Sequence, residues 1–577
     1  MDPRTAAHSL TQIASFLELR GDSPYKARAY EQAARAVVAL ETDDLGALDR
    51  TGELAATRGL GPATLSVIRD LIESGESRYL EQLRAETPPG LIDLLSVPGL
   101  ATAKIHLLHE QLGVDSIESL ESVARDGRLA KLKGFGPKTA EKILRGIEIF
   151  RTAGSMSLYH RAAIGARSLL AVVRSHPDIE RAEVAGSIRR HRETIGDVDV
   201  VAACPRDPFA VAASFVRAPG VRQVSREDTA SPSITFMDGT HLDLHCVLPR
   251  DFAVTLWRAT GSTEHVRAIA AMLEKRGITL DDDQLRDASG KAIDIGDEAQ
   301  IYTLAGLPFI PPEMREEGHE LALAASGRMP TLLTLGDIRG ALHCHTTYSD
   351  GKATIAEMAD AARERGWGYI GITDHSQAAF YAGGIPPEKV IAQHREIDAL
   401  NATLTDVRVL KGIEADILAD GTIDYGAAVL DRFDFVVGSI HSRFALDRRT
   451  MTARVLRALD DPHVTILGHP TGRLLLSRQP YAIDMEAVLE KAGALGVAVE
   501  LNADPKRLDL DWRLIPRALQ FGCTIAIGPD AHSTAGLDVM TIGVGMARKA
   551  GLEAKDVLNA RSVDDVLAFA HARRTRM

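Results

Sequence analysis

Nine histidines and acidic residues are spread through the C-terminal part of the chain, nearly all of them at the ends of short apolar runs. Imidazole and carboxylate groups are the side chains that hold Zn²⁺, Mn²⁺ or Fe²⁺ in proteins. A set of this size could hold two or three ions, and a multi-metal centre favours hydrolysis of phosphate esters. The candidate metal ligands are His343, His345, Asp350, His375, Glu414, His441, His469, Asp530 and His532.

The elements that must position these ligands are apolar runs that recur roughly every 25–40 residues, the rhythm of βα units closing into a barrel. One isolated histidine is more often an ordinary core or surface residue, but active sites of such barrels lie where the strands end, and the whole set falls there. His343 and His345 are two apart on a predicted strand, so both face the same side. The runs predicted to be strands are Tyr369–Thr373, Arg408–Ile413, Phe435–Ile440, Val464–Leu467, Val497–Leu501 and Thr524–Ile527.

The order of the motifs His-x-His, Tyr-Ser-Asp-Gly, Thr-Asp-His-Ser, Gly-His-Pro-Thr-Gly-Arg and Asp-Ala-His resembles that of the polymerase and histidinol phosphatase (PHP) family. The resemblance covers residues 338–577 and implies a distorted (βα)₇ barrel, up to three Mn²⁺ or Zn²⁺ ions, and phosphoesterase or 3′–5′ exonuclease chemistry. All nine ligand positions of that family are occupied. Arg473 and Arg507 are predicted to bind a phosphate oxygen. Asp374 is predicted to orient a metal ligand without binding metal itself.

A second group of carboxylates lies nearer the middle of the chain. Asp197 and Asp199 are two apart on a predicted strand, so both point to one face. Asp243, in the next apolar strand, could complete a site for two Mg²⁺ ions, which prefer oxygen ligands. An isolated pair of this kind is usually a turn or a surface pair, but a Gly186-Ser187 turn beside two arginines is suited to cradle a triphosphate.

This segment resembles the nucleotidyltransferase palm of family X DNA polymerases. The resemblance implies that Asp197 and Asp199 bind both metal ions and that Asp243 helps to activate the primer 3′-OH. The Thr-Gly-Ser turn at 260–262 resembles the family's turn under the incoming sugar. The residues predicted to bind the nucleotide are Gly186, Ser187, Arg190, Gly261 and Ser262.

The polymerase-like region departs from that family's pattern at positions that normally stack on the sugar, contact the minor groove or brace the template. Two aromatic residues usually precede the Thr-Gly-Ser turn, and an asparagine and two arginines are usual at the other positions. Metal chemistry is therefore expected to survive while nucleotide selection is weakened or lost. The residues present here are Arg258, Ala259, Val266, Ala270 and His245.

Residues 1 to about 150 are predicted to be helical, with glycine-rich breaks that each join two helices. Such turns resemble helix-hairpin-helix motifs, which offer backbone N–H groups to a DNA phosphate. One Gly-x-Gly is weak evidence of DNA binding, but three breaks with lysines around the last form a stronger pattern. No lysine lies on the helix after the first Gly-x-Gly, so the lyase activity of some relatives is not expected. The predicted DNA contacts are Gly59, Gly61, Gly99, Gly134, Gly136 and Lys138.

Composition limits the classes of protein to consider. The net charge of −12 argues against a general nucleic-acid coat, so any DNA contact must be local. The four cysteines form no disulfide framework, and no apolar run approaches the roughly 20 residues that span a bilayer. The sequence predicts a cytoplasmic protein without membrane contact.

The sequence thus predicts a multidomain, monomeric repair enzyme that extends a primer at gapped DNA with dNTPs and Mg²⁺ and trims 3′ ends in its barrel. One alternative keeps the barrel as a 3′-end nuclease or phosphatase and makes the degenerate polymerase a DNA clamp. A non-catalytic DNA-binding scaffold and a small-molecule phosphatase are further alternatives. The predicted domains are a helical DNA-binding, lyase-like domain (1–85), helix-hairpin-helix fingers (86–152), an α+β palm (153–250), a thumb (251–325), a linker (326–337) and a PHP barrel (338–577).

Overall fold

The computed structural model describes residues 1, 3–38, 40, 42, 44–75, 77–94, 97, 100, 102–153, 156–237, 239–316 and 318–575. The chain divides into two compact units, Met1–Ser155 and Met156–Met577. The predicted domain boundaries are finer than this division and stay predictions.

The regular structure described in the first unit is helical, as the sequence predicts. Leucine, isoleucine, valine and alanine at helical spacing face a common apolar core. Short helices alternate with glycine turns, so the unit is built from helical hairpins. The helices are α1 Pro3–Leu19, α2 Pro24–Val38, α3 Leu45–Thr51, α4 Glu53–Ala56, α5 Pro62–Ser74, α6 Arg78–Glu86, α7 Pro89–Leu94, α8 Thr102–Leu112, α9 Ile117–Arg125, α10 Arg128–Lys131 and α11 Pro137–Ala153.

The second unit begins with a mixed five-stranded sheet in the order β2-β4-β7-β6-β5, which corresponds to the predicted palm. Its central strands β4 and β7 are parallel and carry buried valine, leucine and alanine on the inner face. The elements are β1 Ser157–Leu158, α12 Tyr159–Arg174, β2 Arg181–Val184, α13 Gly186–Arg189, β3 Thr194–Ile195, β4 Val198–Ala203, α14 Pro208–Val216, β5 Val221–Ser225, β6 Ser233–Phe236 and β7 His241–Val247.

A small α+β layer follows, where the thumb is predicted. Its core is formed around the fully buried Trp257 and Tyr302. Within the predicted linker, Leu333 is buried and its backbone N–H donates to Leu552 O at 2.8 Å, so this segment packs against the barrel. The elements are α15 Phe252–Thr260, α16 Thr263–Glu274, β8 Thr279–Asp281, β9 Gln284–Arg286, β10 Ala292–Ile293, α17 Glu298–Ala305 and α18 His319–Ala325.

The remainder is a seven-stranded parallel sheet in sequential order, curled into the predicted barrel. A bridge between Cys344 and Ala531 joins the extensions of the first and last strands and nearly closes it. The strands are β11 Gly340–Ala341, β12 Tyr369–Ile372, β13 Arg408–Asp416, β14 Phe435–Ser439, β15 Val464–Leu467, β16 Ala498–Asn502 and β17 Ile525–Gly528; the helices are α19 Ile355–Glu364, α20 Pro387–Asn401, α21 Ala427–Leu430, α22 Arg448–Asp460, α23 Met485–Leu495, α24 Ile515–Gln520, α25 Met540–Lys549 and α26 Val563–Thr575.

Two details of the predicted barrel differ from the structure. His343 and His345 were expected on a strand, but β11 ends at Ala341 and both histidines lie in the extended segment beyond it. Glu414 was expected to follow a strand, but it lies inside β13, which continues to Asp416. The reason is that the apolar run extends past Glu414 and its backbone pairs with β14. Neither difference moves these side chains away from the carboxyl end of the barrel.

Candidate active sites

The nine predicted metal ligands converge at the carboxyl ends of the barrel strands. Among the described residues, three groups of ligand atoms are compact enough to hold a cation, with all atoms of a group within 4.8 Å of one another. Their members overlap, as in a centre that holds neighbouring ions. The groups are His345, Asp350, His375 and His532; His343, His345 and Asp530; and His375, Glu414 and His441. The ninth residue, His469, contacts Glu414.

Glu414 lies at the middle of this cluster. Its Oε1 atom is 3.0 Å from Nε2 of His469 and 3.3 Å from Nε2 of His441. The same oxygen is 3.4 Å from Nε2 of His343, and Oε2 is 2.9 Å from Nδ1 of His375. Burial alone would raise the pKa of Glu414, but the surrounding imidazoles hold that pKa well below its ordinary value. One buried, ionised carboxylate therefore links the ligand groups.

Several nitrogen atoms of the cluster are buried without a hydrogen-bond partner. They include Nε2 of His343, both ring nitrogens of His345 and Nδ1 of His469. An unpartnered buried polar atom ordinarily costs about 1–3 kcal/mol, so a concentration of them needs an explanation. Imidazole nitrogens and carboxylate oxygens are the ligands of Mn²⁺ and Zn²⁺, and the donor set therefore fits divalent cations.

Two further carboxylates form hydrogen bonds with the histidines, and the sequence did not predict these two residues. Nδ1 of His343 is 2.5 Å from Glu500 Oε1, and Glu500 Oε2 accepts the backbone N–H of His469 at 2.6 Å. Nδ1 of His441 is 2.7 Å from Asp416 Oδ1. Burial lowers the pKa of His441, but Glu414 and then Asp416 together raise it to about 10. Such partners fix the orientation of each ring. The signal that could have found them is an acidic residue inside an apolar strand.

Asp374 is predicted to orient a ligand, and the structure places it beside the loop that carries Asp350. It accepts the backbone N–H and the hydroxyl of Thr346 at 2.8 and 2.6 Å, and the hydroxyl of Ser349 at 2.5 Å. The side-chain amide of Gln393 donates to it at 2.6 Å. Because its oxygens are occupied by these donors, Asp374 braces the loop that ends at Asp350.

The two predicted phosphate-gripping arginines differ in position. Arg473 is buried; it donates to the backbone oxygens of Arg507 and Leu508 and to Asp511 at 2.6 Å. Its guanidinium therefore braces the segment that carries Arg507. Arg507 itself lies at the edge of the metal cluster, with Nε 3.5 Å from Asp530 Oδ2. The contact of Arg507 with a phosphate stays a prediction.

The three palm aspartates lie together on the sheet. Asp199 in β4 and Asp243 in β7 are direct neighbours in the parallel register, and Asp197 immediately precedes β4. Gly186 has φ of +59°, and a Cβ atom there would collide with the Asp199 carboxylate, so the turn requires glycine. Burial, followed by the charges of Asp197 and Asp243, raises the pKa of Asp199 to about 7. Crowded carboxylates of this kind fit divalent cations with oxygen ligands.

The predicted triphosphate site contains one hydroxyl without a hydrogen-bond partner and one arginine that already donates to two oxygen atoms. The hydroxyl of Ser187 is buried and has no hydrogen-bond partner. Arg190 donates from Nη1 to the Thr260 backbone oxygen at 2.7 Å and from Nε to Glu316 at 3.1 Å. Arg190, a residue of the predicted palm, is thus held by two residues of the predicted thumb.

The predicted sugar-binding turn is tightly packed. The Ser262 hydroxyl accepts the backbone N–H of His265 as the N-cap of α16 and donates to the Glu316 backbone oxygen. Its hydroxyl therefore shapes the turn, and its contact with a nucleotide stays a prediction. Arg258, which stands where the family has an aromatic residue, pairs with Asp283 at 2.5 Å. That ion pair turns Arg258 toward the β8–β9 hairpin.

Buried charges connect the palm with the barrel. Glu316 is paired with Lys549 of α25 at 2.5 Å and with Arg192 at 3.2 Å, in addition to Arg190. Nζ of Lys549 also donates to the Arg190 backbone oxygen at 2.9 Å. Burial lowers the pKa of Lys549 to about 8, although Glu316 opposes the shift. The arginine of the predicted phosphate cradle is therefore held in part by a barrel lysine.

Replacing Lys549 with methionine is expected to destabilise the Met156–Met577 unit by about 3 kcal/mol, because Glu316 stays buried with an incomplete set of partners. The measurement is the thermal unfolding transition of the variant and the wild type. Lys555→Met is the matched control, because Lys555 and its partner Glu553 form an ion pair in which the lysine is exposed. If Lys549→Met lowers the melting temperature no more than the control does, Lys549 does not stabilise the buried Glu316.

The N-terminal turns have the form that the sequence predicts. Gly59 has φ of +101° and Gly61 caps α5, and Gly134 has φ of +93° just before Gly136 and α11. Lys138 is exposed on the first turn of α11. The remaining predicted contact, Gly99, lies outside the described residues. Contact of these turns with DNA stays a prediction.

The comparisons with known proteins cover nearly all of the chain. Family models match for "SAM-like Helix-hairpin-helix tandem" at residues 91–148, "DNA polymerase beta thumb" at 255–316 and "PHP domain" at 341–503. The chain is 39% identical over 564 residues to DNA polymerase/3′-5′ exonuclease PolX of Bacillus subtilis, spanning 97% of this chain and 98% of that protein.

Shorter relatives match less than half of the chain. A probable phosphatase of Caldanaerobacter subterraneus is 28% identical over 263 residues, which are 44% of this chain and 96% of that protein. A probable phosphatase of Syntrophotalea carbinolica is 27% identical over 239 residues, which are 40% of this chain and 94% of that protein. Within the described part of the chain, no helix has the length and apolar character to cross a membrane.

Proposed function

This chain belongs to the bacterial family X DNA polymerases that carry a PHP domain, and from that membership we propose that it both adds and removes nucleotides at DNA 3′ ends. The observation that carries the proposal is the presence of two chemically different ionic clusters in one unit. One contains only carboxylates, and the other mixes imidazoles with carboxylates.

In the palm, Asp197 and Asp199 would hold two Mg²⁺ ions, because carboxylate oxygens suit that metal. Asp243 would help to draw the proton from the primer 3′-OH, and its Oδ1 is held at 3.0 Å by Arg226. The unpartnered hydroxyl of Ser187 supports a contact with the dNTP triphosphate. The products of this step are an extended primer and pyrophosphate.

In the barrel, the mixed ligand set suits Mn²⁺ or Zn²⁺, and its size suits up to three ions. Divalent cations supply a more acidic water and positive charge beside the phosphate in such hydrolysis. The chain's own contribution is to fix the ligands through Glu500, Asp416 and Asp374 and to place Arg507 beside the phosphate. The result would be release of nucleotides from a 3′ end.

The helical unit would hold the DNA. Backbone N–H groups at the start of α5 and α11 are suited to bind phosphates, and Lys138 adds positive charge beside the second of these turns. We propose gapped or primer–template DNA as the substrate and a monomer as the working form. The four cysteines are free and buried, which supports action in the reducing cytoplasm.

The proposed function is tested with a 5′-labelled primer on a gapped template, incubated with Mg²⁺ or Mn²⁺, with and without dNTPs. The expected result is extension with dNTPs and shortening without them, both abolished by a chelator. Extension without any shortening would contradict the proposed hydrolysis in the barrel. Shortening without extension would contradict the proposed nucleotide addition in the palm.

The second candidate, a 3′-end nuclease that uses the palm as a DNA clamp, is favoured by the ion pair of Arg258 with Asp283 at the predicted sugar position. It predicts that DNA binding survives without extension at any dNTP concentration. A titration of dNTPs in the primer assay separates the candidates, because weakened nucleotide selection still allows extension at high concentration.

A further inference from the structure

Two adjacent aromatic side chains project into solvent beside the barrel's ionic cluster. Phe380 is 85% exposed and Tyr381 is 60% exposed, in a short 3₁₀ turn after β12. Their ring centroids are 6.1 Å apart in an edge-to-face arrangement. The Tyr381 ring is 6.4 Å from that of His375 and 6.3 Å from that of His441. Tyr381 therefore borders the predicted metal centre, and Phe380 lies beside Tyr381.

The turn that carries this pair is firmly held. Ala379 and Ala382 on either side are buried, and the Gly384 N–H donates to the Ala379 backbone oxygen at 3.1 Å. The Ile385 N–H donates to the His375 backbone oxygen at 2.9 Å, which ties the end of the loop to a predicted metal ligand. Gly383, with φ of +70°, allows the chain to reverse. The backbone that carries the two rings thus keeps a fixed place relative to the cluster.

This exposure needs an explanation because it is not the usual scattered kind. Single exposed apolar residues are common on protein surfaces. Among the exposed large apolar side chains in the described part of the chain, only Phe380 and Tyr381 are sequence neighbours. Neither side chain has a place in the apolar core, and exposing two rings at a polar site costs free energy unless a ligand covers them.

A nucleobase is the ligand that fits these observations. Every base has an apolar π-face that stacks on aromatic rings, and such stacking tolerates any sequence. In a nucleotide the base lies one sugar away from the phosphate, so a phosphate at the ionic cluster brings its base to the edge of that cluster. The rings of Phe380 and Tyr381 stand at such an edge.

We propose that Phe380 and Tyr381 form a nucleobase-stacking subsite that receives the terminal base of a DNA 3′ end while its phosphodiester lies at the metal centre. The subsite rests on the proposed exonuclease function and deepens it. It makes a frayed or single-stranded end the preferred substrate, because a base stacked in a duplex is not free to occupy the subsite.

The test compares two single-stranded oligonucleotides that differ only in the last residue, which is either thymidine or a tetrahydrofuran abasic analogue. With Mn²⁺, the wild type is expected to cleave the thymidine end with a kcat/KM about 5- to 100-fold higher. In Phe380→Ala and Tyr381→Ala this preference is expected to fall toward unity, while cleavage of the abasic end stays at the wild-type rate. Tyr381→Phe should retain the preference.

Phe209→Ala is the matched control, since Phe209 is an exposed aromatic residue on α14 of the palm. Unchanged cleavage of the abasic end also shows that each variant is folded. Full preference for the thymidine end in both alanine variants would overturn the subsite while leaving the exonuclease intact. Failure of the wild type to cleave either oligonucleotide would overturn the exonuclease proposal and the subsite with it.

Discussion

Glu414→Gln is expected to reduce 3′-end hydrolysis by about 10³-fold or more and to leave primer extension at the wild-type level. The carboxylate of Glu414 reaches four imidazoles of the cluster, and it is ionised because those imidazoles lower its pKa. Glutamine has the same shape but no charge, so it cannot join the ligand groups. Loss of several kcal/mol of metal-assisted stabilisation corresponds to this change in rate.

The measurement is the rate of shortening of a labelled primer in Mn²⁺ without dNTPs, with bound metal counted by elemental analysis. Glu364→Gln is the matched control, because Glu364 is an exposed glutamate at the end of α19. We expect Glu414→Gln to bind less metal and to shorten the primer more slowly than the wild type. A variant that binds less metal yet shortens the primer normally would place the chemistry elsewhere in the chain.

Asp199→Asn is expected to reduce nucleotide addition by about 10³-fold or more, while 3′-end hydrolysis continues. Asp199 is the direct neighbour of Asp243 in the sheet, and burial raises its pKa to about 7. Removing its charge takes away one of the two carboxylates that are proposed to hold both Mg²⁺ ions. The measurement is single-nucleotide extension at saturating dNTP, with Asp228→Asn, an exposed aspartate of the palm, as the control.

The same substitution is expected to stabilise the metal-free protein at pH 8. The pKa of Asp199 is about 7 in the folded chain, against an ordinary value of 3.8 in the unfolded chain. Ionisation therefore opposes folding increasingly as the pH rises from about 4 to 7, and the penalty is complete above pH 7. Asparagine carries no such penalty. In the presence of a chelator, the melting temperature of Asp199→Asn should exceed that of the wild type at pH 8, by a margin that narrows toward pH 5. Equal margins at both pH values would contradict the assigned pKa.

Much of the barrel could be predicted from the sequence because its strands are continuous apolar runs and its ligands follow a fixed order. Each predicted run overlaps a strand, and the nine ligands meet at one end. Glu500 and Asp416 could not be assigned in the same way, because their role depends on which histidine each one faces across the barrel. An acidic residue inside an apolar run signals a buried partner but does not identify it.

The palm shows the same limit. The spacing of Asp197 and Asp199 predicts a shared face, and the adjacent strand with Asp243 completes it. The ion pair between Arg190 and Glu316 joins residues that are far apart in sequence. The ion pair between Glu316 and Lys549 joins the predicted thumb to the predicted barrel. No local pattern reveals such a contact, because it is created only when palm, thumb and barrel pack together.

We propose that one chain holds two separate active sites that act on DNA 3′ ends. The most direct measurement is the length of one labelled primer on a gapped template, with and without dNTPs, for wild type, Glu414→Gln, Asp199→Asn and the double variant. We expect the wild type to extend and to shorten the primer, Glu414→Gln to extend it without shortening, Asp199→Asn to shorten it without extension, and the double variant to do neither. Loss of both activities from either single substitution would contradict this proposal, because the two reactions would then share one site.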